Sequence, residues 1–170
     1  MEQTIEANTK TSLLGHVEEN PGIRYRELLR MTGLANGVLT YHLAALERTG
    51  AVKVERQTRM TRYYPINIPD SESSIFKFVR HDPIRQIVIF ILEHDCCTFN
   101  EIVGHTRKAP STVSSHLKRL READIVSVRY GEYQLYHLAD SELVAEVLSK
   151  YDGSFVDRIV DSYAEMVEEL

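Results

Sequence analysis

An internal repeat constrains this sequence more than any other feature. Residues 13–54 align with residues 87–128 at a constant offset of 74, without a gap. Nine of the 42 aligned positions are identical, including His42/His116 and Leu43/Leu117, and most of the others exchange similar side chains. Self-similarity of this kind indicates a supersecondary unit present twice, so we predict two copies of a module of about 55 residues.

Each copy has the hydrophobic spacing of three helices. The predicted helices are 10–19, 24–32 and 36–49 in the first copy and 83–93, 99–106 and 110–123 in the second. Thr98 and Glu101 have the spacing of a capping box, and Pro110 suits the first position of a helix. In each third helix, apolar residues recur at intervals of four and three, which predicts one buried face and one free face.

A β-hairpin is predicted to close each copy. Residues 51–56 are expected to pair with 61–66, and residues 125–130 with 133–138. Gly131-Glu132 reads as a two-residue type II′ turn, and Tyr64 aligns with Tyr136, which makes the first hairpin two residues longer at its tip. Three helices followed by a two-stranded wing form a winged helix-turn-helix.

The fold class is therefore mainly α with small β-hairpin wings (α+β), in two tandem winged helix-turn-helix domains with a C-terminal helical tail. The expected boundaries are 10–66 for the first domain, 67–82 for a linker, 83–138 for the second domain and 139–170 for the tail. An apolar stripe at a/d spacing in the tail predicts a homodimer; packing of this stripe on its own chain is the alternative. The stripe consists of Val156, Ile159, Tyr163, Met166 and Leu170.

The charge is distributed unevenly along the chain. The net charge is −5, but residues 139–170 carry two positive and nine negative charges, whereas residues 11–66 carry eight positive and five negative charges. Binding to a polyanion depends on the local patch, so the overall acidity does not exclude DNA.

The third helices carry a resemblance to a known family. Residues 34–52 and 109–126 both resemble the recognition helix of ArsR/MarR-type winged-helix regulators, of which tandem versions occur in archaea. The resemblance implies a recognition helix in the major groove of double-stranded DNA, with the wing and flanking cations on phosphates. Metal-sensing members often carry paired cysteines in this helix; this sequence has none there, so no metal or other cofactor is predicted.

Candidate DNA-binding residues follow from the free faces of the third helices and from the wings. The third helix of the second copy offers hydroxyls and cations, whereas the third helix of the first copy has no cation before Arg48. The wing of the first copy is rich in arginine. The alternatives are that the helix face is simply solvated and that the charges only protect the edge of the hairpin. The candidates are Asn36, Thr40, Tyr41, Arg48, Arg56, Arg59, Arg62, Ser111, Thr112, Ser114, Ser115, Lys118, Arg119, Arg121 and Arg129.

Histidines and cysteines have other expected roles. His42 and His116 are predicted to share a structural role, through a hydrogen bond to neighbouring backbone or to a phosphate. Cys97 aligns with the apolar Ile23 and is predicted to be buried, whereas Cys96 falls in a loop, where a redox role stays open. No phosphate-binding glycine loop or hydrolase motif occurs in the sequence, and an enzyme is not predicted.

These features predict a DNA-binding transcriptional regulator that acts by promoter occupancy. The alternative is a protein-docking pair of winged helices in a chromosome or basal transcription assembly, and a small-ligand or redox sensor is a third possibility. The longest apolar run, 87–92, is far shorter than the ~20 residues of a membrane span, and the start lacks an export signal. The expected location is the cytoplasm, and the expected partners are DNA, a second copy of the chain and the transcription machinery.

Overall fold

The computed structural model describes residues 2–57 and 60–150, with side chains from residue 6 onwards. The described residues up to Ser73 form one compact unit, here called the first module, and those from Ser74 onwards form a second, the second module. The tail stripe at residues 156–170 lies outside the described residues. Within those residues, no helix is long and apolar enough to cross a membrane.

The first module consists of three helices and a small antiparallel sheet. Its elements are α1 (Glu2–Glu19), β1 (Ile23–Arg24), α2 (Tyr25–Thr32), α3 (Asn36–Arg48), β2 (Val52–Gln57) and β3 (Met60–Pro65). The core lies between α1, α2, α3 and the sheet. It includes Leu13, Val17, Ile23, Leu28, Leu39, Leu43, Leu46, Val52 and Tyr63, all buried. Helix α1 begins at Glu2, eight residues before the start that the sequence predicted.

The second module repeats this order and adds a helix at each end. Its elements are α5 (Asp82–His94), β4 (Cys97–Thr98), α6 (Phe99–Thr106), α7 (Pro110–Glu122), β5 (Val126–Arg129) and β6 (Leu135–Leu138), flanked by α4 (Asp70–Val79), which begins in the first module, and α8 (Ser141–Lys150). The predicted capping box forms, because the Thr98 hydroxyl accepts from the Glu101 amide and the Glu101 carboxylate accepts from the Thr98 amide. Helix α4 lies in the segment that the sequence assigned to a linker.

Each sheet has a third strand that the sequence did not predict. The two-residue strands β1 and β4 pair with β3 and β6, which gives the orders β1-β3-β2 and β4-β6-β5. Ile23 pairs with Tyr63 and Cys97 pairs with Tyr136. Tyr63 is therefore the counterpart of Tyr136, and the alignment of Tyr64 with Tyr136 was wrong: the first hairpin is longer by one residue, not two.

The predicted turn of the second wing is also wrong. Val126 pairs with Leu138 and Arg129 with Leu135, which leaves a five-residue loop, 130–134, at the tip. A two-residue turn at Gly131-Glu132 would need Tyr130 opposite Tyr133, one residue out of this register. Gly131 also lacks the positive φ that a type II′ turn requires at its first position.

The turn between the second and third helices has the same backbone in both modules but different residues. Gly33 has φ 63° and donates its amide to the carbonyl of Leu29. Its counterpart Arg107 has φ 52° and donates its amide to the carbonyl of Val103. Glycine adopts this left-handed conformation without steric cost, whereas arginine does so at a cost of about 1 kcal/mol.

Candidate nucleic-acid interface

Helix α7 presents a free face of hydroxyls and cations. Val113, Leu117 and Leu120 are buried and fix its orientation on the second module. Because side chains repeat every 3.6 residues around a helix, the face opposite these three residues points away from the core. Among the candidates on α7, Ser111, Ser114, Ser115, Lys118, Arg119 and Arg121 are exposed, and Thr112 is half-buried.

Two of the cations border a groove between α7 and strand β5. Lys118 and Arg121 line this groove, about 610 Å³ in volume, together with Ser127 and Tyr130. The Lys118 ammonium lies 3.8 Å from the carboxylate of Glu122 on the exposed face of the helix. An exposed pair of this kind contributes little to stability, so Lys118 can exchange it for a phosphate at small cost.

Arg119 has a different environment from Lys118. Its guanidinium carbon lies 5.6 Å from the centre of the Phe78 ring, in a cation–π contact. Phe78 belongs to α4 and is buried. Arg119 therefore links the recognition helix to α4, and its replacement would remove a packing contact as well as a charge.

Two further cations lie beside the start of α7, and the sequence analysis did not select them. Arg107 and Lys108 are exposed and precede Pro110, the first residue of the helix. A helix N-terminus attracts anions, so cations here add to a surface that already favours phosphate. The repeat contained a sequence signal for Arg107, because this arginine replaces Gly33 of the first copy. The structure shows that both residues have positive φ.

Helix α3 occupies the same place in the first module, but its polar face is engaged internally. The Tyr25 hydroxyl hydrogen-bonds to the carbonyl of Asn36 at 3.0 Å, to the side chain of Asn36, and to the Thr40 hydroxyl at 2.9 Å. Phe99 stands in the place of Tyr25 in the second module and has no hydroxyl. Asn36 and Thr40, two predicted DNA contacts, are thus exposed but held by Tyr25.

A carboxylate from α1 lies beside another predicted contact on α3. The Tyr41 hydroxyl donates to a carboxylate oxygen of Glu6 at 3.2 Å, and Lys10 donates to the same oxygen at 2.9 Å. The hydrogen bond from Lys10, the charge of Lys10 and the hydrogen bond from Tyr41 all lower the pKa of Glu6. Glu6 therefore stays ionised at neutral pH, paired with Lys10, and the Tyr41 hydroxyl is engaged by this pair.

Two of the three predicted arginines of the first wing, Arg56 and Arg62, have partners within the module. Arg62 is 6% exposed and donates to the carbonyl of Gly22 at 3.0 Å. A DNA contact requires an exposed side chain, so the prediction that Arg62 is exposed was wrong. Strand β3 is central in its sheet, which explains this burial. Arg56 is exposed and donates to both carboxylate oxygens of Glu47, at 2.7 and 2.6 Å. Arg59 lies outside the described residues.

Two remaining candidates, Arg48 and Arg129, are exposed at the ends of α3 and β5. Their counterparts in the other module are Glu122 and Glu55, so the sign of the charge reverses between the repeats at both positions. Arg121 likewise replaces Glu47 of the first module. The structure brings Lys118 and Arg121 together at one groove beside α7, whereas Arg129 lines a different cavity, with Cys96 and His137.

The repeated histidines lie on the recognition helices as predicted, but without the expected hydrogen bond at Nδ1. His42 is buried and His116 is half-buried, and Nδ1 of each is enclosed with no hydrogen-bond partner among the residues that the structure describes. The His116 ring contacts that of His81, with centroids 5.4 Å apart. Burial and, to a smaller extent, the charge of Arg119 lower the pKa of His116.

The cysteines have the environments that the sequence predicted. Cys97 is buried and Cys96 is exposed. Burial, with smaller contributions from Glu101 and Cys96, raises the pKa of Cys97 to about 11, so this thiol stays protonated and unreactive at neutral pH. Within residues 2–57 and 60–150, no three His, Cys, Asp or Glu side chains are grouped so that they could hold a metal ion.

Comparison with known families agrees with the two modules. Residues 7–76 match a family described as an N-terminal HTH domain. Residues 82–128 match the bacterial regulatory protein, arsR family. The resemblance to ArsR-type regulators and the fold of two tandem helix-turn-helix domains are confirmed.

Individual proteins are also similar to this chain. An uncharacterized HTH-type transcriptional regulator of Methanocaldococcus jannaschii is 24% identical over 143 residues, which cover 84% of this chain and 36% of that protein. The chain thus spans about a third of the length of this relative. The crystal structure of the transcriptional repressor BigR from Xylella fastidiosa covers 47% of this chain and 82% of its own, with 22% identity and a TM-score of 0.42.

Proposed function

We propose that this chain, which carries two helix-turn-helix domains of the transcriptional-regulator type, binds double-stranded DNA through its second module and regulates transcription by occupying promoters. The observation that supports this proposal is the face of α7, where exposed serine hydroxyls adjoin exposed cations. Serine hydroxyls donate to and accept from base edges in the major groove, and lysine and arginine neutralise phosphates. The serine contacts would supply sequence preference, and the lysine and arginine contacts would supply affinity.

The experiment measures binding of the full chain to a labelled duplex of mixed sequence at two salt concentrations. The double variant Lys118→Ala/Arg121→Ala is expected to lower the salt slope by about two, because each lost phosphate contact lowers it by about one. The matched control is Arg48→Ala, which removes an exposed cation from the last turn of α3. Equal losses from the two variants would contradict the assignment to α7.

Promoter occupancy requires a second experiment. Genome-wide mapping of the bound protein is expected to give discrete peaks upstream of genes. A map like that of an untagged control strain would contradict regulation by promoter binding, even if binding to DNA were measured in solution.

The first module supports a different role, as a protein-docking module. Its α3 has polar groups held by Tyr25 and a carboxylate beside Tyr41, while Val38 and Tyr41 expose apolar surface. Exposed aromatic surface with little charge is typical of protein interfaces. We propose a component of the transcription machinery as the partner, and a pull-down with Tyr41→Ala against wild type tests this role.

We also propose that the tail forms a homodimer, as its a/d spacing predicts. A homodimer carries two copies of the DNA-binding module, which suits DNA sites with two half-sites about one helical turn apart. Light scattering on the full chain is expected to give the mass of a dimer, and Ile159→Glu/Met166→Glu that of a monomer. A monomeric wild type at tens of micromolar would overturn the proposal.

A further inference from the structure

The cavity that Arg129 lines in the second module is separate from the groove beside α7. It has a volume of about 220 Å³ and lies where the end of α5 meets strand β6 and the start of α8. Ile91, Leu92 and Leu138 contribute apolar surface to its lining. Pockets for drug-sized ligands have volumes of roughly 300–1,000 Å³, so this cavity suits a smaller molecule that has an aliphatic part.

Two charged side chains of opposite sign share this cavity. Arg129, at the end of β5, and Asp95, which follows α5, both line it and both are exposed. Within the part of the chain that the structure describes, neither side chain makes a hydrogen bond or an ion pair. Because they do not neutralise each other, each can hold the opposite charge of one ligand.

His137 adds a neutral polar group to the same lining. Its Nδ1 lies 3.1 Å from the carbonyl oxygen of Leu138. A carbonyl oxygen only accepts hydrogen bonds, so Nδ1 donates, and Nε2 of the neutral ring is then an acceptor. An acceptor and a carboxylate at one cavity suit an ammonium group, which has three donors and no acceptor.

The equivalent positions of the first module carry different side chains. The register of the paired strands matches His137 with Tyr64 and Arg129 with Glu55. Tyr64 is 1% exposed, and its hydroxyl donates to the carboxylate of Glu55 at 3.3 Å. The first module thus has a buried phenol ring and an internal hydrogen bond at the two positions where the second has a smaller ring and an unpaired cation.

The backbone at Asp95 also differs from that of the first module. Asp95 has φ 60° and ψ −45°, and the amide of Cys96 donates to the carbonyl of His94 at 2.6 Å. This is a γ-turn of the strained kind, with positive φ. Its counterpart is Pro21, whose ring fixes φ at a negative value, so the turn is specific to the second module. Residues in strained conformations cluster at ligand sites.

We propose that this cavity binds a small zwitterion, an α-amino acid with an aliphatic side chain. Its carboxylate contacts the guanidinium of Arg129, and its ammonium group contacts the carboxylate of Asp95 and Nε2 of His137. Its side chain packs on Ile91 and Leu138. Such a ligand joins the wing to the loop after α5 and therefore stabilises the second module. This binding does not require DNA, so the proposal is independent of the proposed function.

The first test is an NMR titration of the uniformly ¹⁵N-labelled full chain with L-leucine. We expect a Kd of about 1 mM or lower, with shifts concentrated at the amides of Asp95, Cys96, Arg129 and His137. The absence of any shift up to about 10 mM leucine, or shifts confined to other residues, would overturn the proposal.

Two analogues of leucine test whether both charges are recognised. 4-Methylpentanoate lacks the ammonium group, and 3-methylbutylamine lacks the carboxylate. Each is expected to bind about tenfold more weakly than leucine or worse, because one charge-assisted contact is lost. An analogue that bound as tightly as leucine would contradict recognition of a zwitterion.

Variants of the lining locate the site. Asp95→Asn and Arg129→Gln each remove one charge with little change in shape, and each is expected to weaken leucine binding about tenfold. His137→Tyr introduces the residue of the first module and is expected to abolish binding, because the larger ring takes up the cavity. Arg26→Gln removes an exposed arginine from the first module and is the matched control, with wild-type affinity expected.

The outcomes separate this proposal from the proposed function. Thermal unfolding verifies that each variant is folded, and a folded His137→Tyr variant that bound leucine like wild type would overturn the amino-acid site. Because these titrations contain no DNA, their failure leaves the proposed function intact. A chain that bound leucine but no duplex would contradict the proposed function alone.

Discussion

Helices α3 and α7 have the same length and bury the same three positions, yet they present opposite chemistry on their free faces. In α7 this face carries Ser115, Lys118 and Arg121; the matching residues of α3 are Tyr41, Ala44 and Glu47. The buried positions are constrained by packing in both modules, whereas the free face is constrained by what it binds. Packing thus preserved the buried positions in both copies while the free faces changed, and this change is the basis for proposing different partners for the two modules.

The largest effect is expected when the face of α3 is copied onto α7. The triple variant Ser115→Tyr/Lys118→Ala/Arg121→Glu is expected to weaken DNA binding about a hundredfold, since two charge-assisted contacts of about 1.5 kcal/mol each are lost. Anisotropy titrations on one duplex measure the change. Tyr41→Ala in α3 serves as control, and a loss of similar size from it would show that both helices bind DNA.

A smaller effect is expected at the turn before each recognition helix. Arg107→Gly is expected to raise the free energy of unfolding by about 1 kcal/mol, because glycine adopts the positive φ without strain. The same variant is expected to weaken DNA binding severalfold and lower the salt slope by about one. Denaturant unfolding and titration together measure the two opposite changes.

The converse change in the first module provides the control for Arg107. Gly33→Arg is expected to destabilise the protein by a similar amount, since φ is also positive there. If Arg107→Gly left DNA binding unchanged, the arginine would have no role in the contact, and the strain at this turn would need another explanation.

The network around Tyr25 gives a third way to test the difference between the modules. Tyr25→Phe copies the residue of the second module and removes exposed hydrogen bonds to Asn36 and Thr40, at a cost of about 1 kcal/mol in unfolding free energy. DNA affinity is expected to stay the same, because the proposed contact with DNA lies on α7. A marked change in affinity would place α3 on the DNA.

The smallest effect concerns the pH dependence of stability. The pKa of His116 is lower in the folded protein than in the unfolded chain, so the unfolded state binds more protons and stability falls as pH drops through the ordinary histidine range, about pH 7 to 5. His116→Gln is expected to reduce this loss. Chemical denaturation at several pH values measures it, and an unchanged profile would mean that other groups dominate.

Local patterns in the sequence sufficed for much of the fold. The helices were predicted because Leu43 and Leu117, with their neighbours, recur at helical spacing, and the caps at Thr98 and Pro110 are local chemistry. The exposed cations of α7 were predicted for the same reason, since a residue opposite a leucine stripe has to face away from the core. Cys97 was predicted to be buried because the repeat aligned it with Ile23.

Other features depend on residues that are distant in sequence. Strands β1 and β4 are two residues long, which is too short for a hydrophobic period to show in the sequence. They form because each pairs with a strand of the hairpin, β1 with β3 and β4 with β6. The same pairing encloses Arg62, which a hairpin with one free edge would have left exposed. The register of the second wing, and hence the exposed loop with Tyr130, is likewise fixed by the paired strands and not by the Gly131-Glu132 dipeptide.

The two modules, their order of helices and the cations of α7 were predictable because hydrophobic period and charge are properties of short segments. Which of the candidate residues are available to a partner depends instead on tertiary contacts. Tyr25 engages Asn36 from 11 residues away and Glu6 approaches Tyr41 from 35 residues away. Such contacts form when packing brings separate helices together, so a side chain's availability to DNA is a property of the assembled module.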